Sequence, residues 1–101
     1  MAAHDMFLAM ILTNARREEA RGVVLTVENA KPQIVMLLLD GTCQPLTPPP
    51  SDILVKIIES LEQGQREFQS SVFAVGIDTV DIKRGPSSMV ASISEWTIEH
   101  N

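Results

Sequence analysis

Three consecutive prolines, Pro48-Pro49-Pro50, constrain this 101-residue chain more than any other feature. Each proline fixes its own φ and pushes the residue before it out of the helical region, so Thr47 to Pro50 must run extended. Ser51 follows as a natural helix cap, and Ile53, Leu54, Ile57, Ile58 and Leu61 then recur on one helical face up to Gly64. The spacing predicts a helix from Ser51 to about Gln63. Residues 1–101 are the length of a single compact domain.

The first half opens with Phe7, Leu8, Ile11, Leu12 and Ala15 at helical spacing, with Asp5 as the candidate cap and Gly22 as the stop. That pattern predicts an amphipathic helix over 5–21. Val23 to Glu28 is mostly β-branched, Asn29-Ala30-Lys31-Pro32 has turn chemistry, and Gln33 to Leu39 is an apolar run closed by Asp40-Gly41. Two such strands form a hairpin. The unbroken apolar stretch from Ile34 to Leu39 predicts a strand covered on both faces near the centre of a sheet. Thr42 to Leu46 can return as a short third strand, which Pro45 confines to an edge.

Beyond the second helix three more strands are predicted: Glu67 to Val75, Thr79 to Arg84 and Ser88 to Trp96. Gly76 with Asp78 separates the first pair, and Gly85-Pro86-Ser87 the second. The ordered core spans about residues 5–96, residues 97–101 read as a tail, and Ser88 to Trp96 is a candidate edge strand. Connections this short make neighbouring strands antiparallel. The expected fold class is α+β, an antiparallel β-sheet with two main helices packed on it, in the order α-β-β-(β)-α-β-β-β.

Composition narrows the function classes. The chain carries 8 Lys+Arg against 13 Asp+Glu, a net charge of -5, so there is no basic excess to neutralise phosphates and nucleic acid is not an expected partner. No apolar run is long enough to span a bilayer, and His4 and Asp5 stand where a signal peptide needs a basic region. A single cysteine, Cys43, makes neither an internal disulfide nor a zinc cage. The expected location is cytoplasmic.

Catalysis needs a nucleophile, a base and an orienting group, or a metal set. The two histidines, His4 and His100, stand at opposite ends of the chain, and Cys43 is remote from both in sequence. Glu59 and Glu62 share a helical face, as an acid-base pair, a cation site or a plain solvated face would. Asp78 and Asp81, three apart on an expected strand, should point to opposite sides. The phosphate loop of nucleotide-binding proteins is absent, and the five glycines stand singly at the ends of elements. No catalytic residue, metal ligand or cofactor is assigned, and no enzymatic activity is expected. The basic pair Lys83 and Arg84, just before a turn, is the candidate for a phosphate or interface contact.

The order of elements from Phe7 to Trp96 resembles the domain that precedes the motor core in the type II secretion and type IV pilus ATPases. The stretches that carry the resemblance are Gly22 to Glu28, Met36-Leu37-Leu38-Leu39-Asp40-Gly41, Leu46-Thr47-Pro48-Pro49-Pro50, Ile53 to Leu61, Phe68 to Phe73, and Val80-Asp81-Ile82-Lys83. The resemblance implies a PAS-like fold and a cytoplasmic domain of a bacterial secretion machine. It departs at the polar signatures: Val23-Val24-Leu25-Thr26 replaces a Ser-Asp-Ile-His motif, Val72 stands where an arginine follows Asp-Gly, and Lys83 replaces a second arginine. The family's arginines reach toward nucleotide held by the neighbouring motor core, so Lys83, with Arg84, is the position to which that role carries over. The resemblance implies the N-terminal domain of such an ATPase without the motor, either as a stand-alone degenerate relative or as a fragment of a longer ATPase.

Two functions follow as expectations. The first is a non-catalytic interaction or oligomerisation domain that docks to a motor core or another protein partner. The second is a PAS-like sensor holding a small molecule between sheet and helix, with Met36, Leu38, Phe73 and Met89 lining an apolar pocket. The same four residues also suit an ordinary core.

Overall fold

In a computed structural model, which describes residues 2–100, the extended proline segment leads from an edge strand into the second helix, as its backbone chemistry requires. The elements are α1 (Ala3–Arg17), β1 (Ala20–Glu28), β2 (Lys31–Leu38), β3 (Cys43–Leu46), α2 (Ser51–Glu62), β4 (Glu67–Gln69), β5 (Phe73–Arg84) and β6 (Ser88–His100). Among the described residues, six strands form one sheet in the order β3-β2-β1-β6-β5-β4, every pair antiparallel. The fold is α+β with the expected sequence of elements.

Both helices cover the same face. Leu8 and Leu12 of α1 and Leu54 and Ile57 of α2 join Leu25, Ile34, Met36 and Ile93 of the sheet in one buried cluster. Each such Leu or Ile contributes about 1.5–3 kcal/mol through burial. Strand alternation then turns Val24, Val35, Leu37 and Val90 to the opposite face, which none of the described elements covers.

Several boundaries differ from the sequence expectation. Helix α1 is capped by the backbone of Ala2 and ends at Arg17, with Glu18 and Glu19 bonding back to Asn14 and Arg16. Glu19 takes φ 59°, the left-handed conformation in which the chain leaves the helix. Gly22 is therefore not the stop; it lies inside β1, beside an irregularity between Ala20 and Gly22. In α2 the cap is Pro50, whose carbonyl accepts from the N–H groups of Ile53 and Leu54, and Ser51 is already helical.

The stretch 67–75 is not one strand. Its turn falls at Ser70, where the backbone N–H donates to the Phe73 carbonyl at 2.8 Å and Oγ accepts from Phe73 N–H at 3.0 Å. Gly76 and Asp78 lie within the long strand β5. Residues 97–100 continue β6 by pairing with Phe73 to Gly76, so they are part of the sheet, while Asn101 lies outside the described residues. Strand β6 is central, between β1 and β5, and the true edges are β3 and β4. Strand β2 stands second from an edge, and Leu39 beyond it is 69% exposed.

Candidate functional site

The basic pair marked by the sequence is split between the two faces. Lys83 projects from the open face and Arg84 toward the helices, because successive residues of a strand alternate. Arg84 Nε and Nη2 donate to Glu62 Oε2 and Oε1, each at 2.7 Å, and Glu59 Oε2 lies 3.9 Å from Nη2. The Glu59/Glu62 face of α2 thus holds a cation that the chain itself supplies. The bidentate bond keeps the Glu62 carboxyl below the usual carboxylate range and the Arg84 guanidinium above its ordinary value.

The four apolar candidates do not converge. Met36 and Met89 are both core residues, but they lie on opposite flanks of β1 and at different levels, across from Val23 and Val27. Leu38 sits opposite Ala20, and Phe73 packs edge-on against the His100 ring with centroids 4.7 Å apart.

Nor do the reactive side chains assemble. His4 Nε2 lies 3.3 Å from Asp5 Oδ1 on α1, His100 ends β6, and exposed Cys43 sits on edge strand β3 opposite Leu37. Among the described residues no three His, Cys, Asp or Glu side chains are grouped as metal ligands. Asp78 and Asp81 correct one expectation, because register shifts at Ile77/Thr79 and Thr79/Val80 reverse the alternation of β5. Val75 and Ile77 face inward before the shifts, Val80 and Ile82 after them, so both carboxylates emerge on the open face. Asp78 accepts there from the Thr97 hydroxyl at 3.2 Å.

The open face holds what residue-by-residue reading missed. Val24 lies directly across from Val35, Leu37 across from both Gly22 and Cys43, and Val90 across from Thr26, which makes one apolar area over β2, β1 and β6. Lys31 and Glu28 border it at one end, and Asp81 and Lys83 along β5. The signal was present in the apolar run of β2, which asks for cover on both faces. The described residues supply helical cover for one.

No protein-family model matches this chain, and no curated protein matches it in sequence. Among the described residues no helix is long and apolar enough to cross a membrane.

Proposed function

We propose that this domain works by docking a protein partner on the open face of its sheet, without chemistry of its own. The observation that supports the reading is the one-sided cover of β2. Ile34 and Met36 are fully buried, whereas Val35 and Leu37, equally apolar, are only half-buried and face away from both helices alongside half-buried Val24 and Val90. A contiguous apolar area with a charged border is the surface signature of a protein interface, and its cover by a partner satisfies the second face of β2.

The resemblance supplies the class of partner: the motor core of a secretion or pilus-type ATPase, in the cytoplasm, where exposed Cys43 stays reduced. A photoactivatable residue at position 35, compared with one at exposed Asp52 on the outer side of α2, tests the reading in cells. The expected result is a discrete adduct from position 35, of a mass other than two copies of the chain, and none from position 52. No adduct from position 35, or the same adducts from both, overturns it.

A further inference from the structure

The unpaired part of β5 carries a proposal that goes beyond partner docking and uses the edge of the sheet beside the open face. Strand β4 pairs only with Ala74, Val75 and Gly76, and the carbonyl of Arg66 accepts from Ile77 N–H. From Thr79 to Arg84 no backbone group of the described residues pairs with β5 on that side. Which groups face outward follows from the hairpin at its end. Gly85 N–H donates to the Ser88 carbonyl at 2.9 Å, so Gly85/Ser88 is a hydrogen-bonded pair. Alternation then makes Lys83/Val90 and Asp81/Ser92 bonded pairs too, and aims the N–H and C=O of Val80, Ile82 and Arg84 away from β6.

We infer that this edge pairs antiparallel with the same edge of a second copy of the chain, centred on Ile82. A two-fold axis through Ile82 sets Val80 against Arg84 of the other copy and completes about six backbone hydrogen bonds from the three outward-facing residues on each side. The backbone also permits registers centred on Asp81 or Lys83. Those set Asp81 against Asp81 or Lys83 against Lys83, which repel. The Ile82-centred register sets Asp81 against Lys83 of the second copy, twice, and both side chains stand on the open face where the pairs can form. Half-buried Ile82 gains its symmetry mate as cover at the rim of the core.

The edge also lacks what usually prevents such pairing. Natural sheets guard edges with prolines, bulges or unmatched charge. Here Val80 to Arg84 contains no proline, the register shifts end before it, and its one lysine is matched by Asp81 two residues away. The resulting dimer joins two six-stranded sheets edge to edge with both open faces on the same side. Its small contact area makes it weak and dependent on concentration.

Sedimentation equilibrium over a range of concentrations tests the proposal. The wild-type chain is expected to pass from monomer to dimer. Asp81→Lys and Lys83→Asp, at exposed positions, are each expected to weaken self-association roughly tenfold or more by making both cross-pairs repulsive. An equimolar mixture of the two variants is expected to restore it as a heterodimer, since every cross-pair is then Lys against Asp. A wild-type monomer at all concentrations, single variants that dimerise normally, or a mixture that stays monomeric overturns the proposal. Melting curves of the single variants check that they fold. If the proposal fails while the adduct from position 35 persists, the docking function stands; loss of that adduct with an intact dimer removes docking alone.

Discussion

Asn29 and Ala30 join β1 to β2 with φ 51° and 62°, the signature of a two-residue hairpin turn that matches strand twist. Asparagine tolerates that region, but the Cβ of alanine does not. Ala30→Gly is expected to raise stability by about 1 kcal/mol in urea denaturation, since relief of left-handed strain exceeds the added freedom of the unfolded chain. Trp96 shows a different residue-scale effect. Its Nε1 donates to the Leu12 carbonyl at 3.1 Å, the Arg16 guanidinium lies 4.9 Å from its ring, and Arg16 also donates to the Trp96 carbonyl. Trp96→Phe removes the indole donor and is expected to cost roughly 1–2 kcal/mol, read as a lower urea midpoint at unchanged slope. A turn after Glu28 was legible because its chemistry is local, although Lys31 and Pro32, read as part of it, already pair in β2 with Glu28 and Val27. The Trp96 clasp was not, because it links residues 84 apart through the end of α1 and the displaced register of β6.

Elements were legible wherever one dominant signal set them. The prolines placed α2, and apolar spacing placed α1. The segment from Glu67 to Arg84 misled because Gly76 and Asp78 look like a turn, while the real turn lies at Ser70, closed by its backbone N–H and its hydroxyl, both bonded to Phe73. The Glu59/Glu62 face was visible as a carboxylate pair, but its occupant comes from β5. That contact has a pH consequence. The Glu62 carboxyl is depressed by the Arg84 hydrogen bond, so over the acid range the folded chain binds fewer protons there than the unfolded one. Its stabilisation is present above the ordinary glutamate pKa of about 4.3 and is lost as pH falls through the folded value. Arg84→Gln is expected to make the acid limb of stability less steep in pH-dependent thermal melts. It does not abolish the limb, because Asp40 is also depressed, by the hydroxyl and N–H of Thr42 at 2.6 and 2.9 Å. An acid limb unchanged in the variant contradicts the assignment.

Among the described residues the sheet has one face packed under both helices and one face left half-buried without them, and β2 sums up why sequence alone placed the first but not the second. A continuous apolar strand states that both sides seek cover, and nothing in the string of residues says that two helices will share one side. Adjacent residues of β2 therefore separate stability from function. Ile34 is fully buried beneath the helices, so Ile34→Ala is expected to cost about 2–5 kcal/mol, by lost transfer energy and the cavity left behind. Val35, the next residue, faces the open side across from Val24 and Pro45, and Val35→Thr keeps its shape and strand propensity. That change is expected to shift stability by no more than about 0.5 kcal/mol in the isolated chain. It also places a hydroxyl in the centre of the apolar area, where a docked partner leaves it without water. The expected outcome is a melting temperature close to wild type together with weakened capture of the partner that a photoactivatable residue at position 37 detects. If Val35→Thr instead destabilises the chain as much as Ile34→Ala, the second face is already covered within the molecule and the docking surface lies elsewhere.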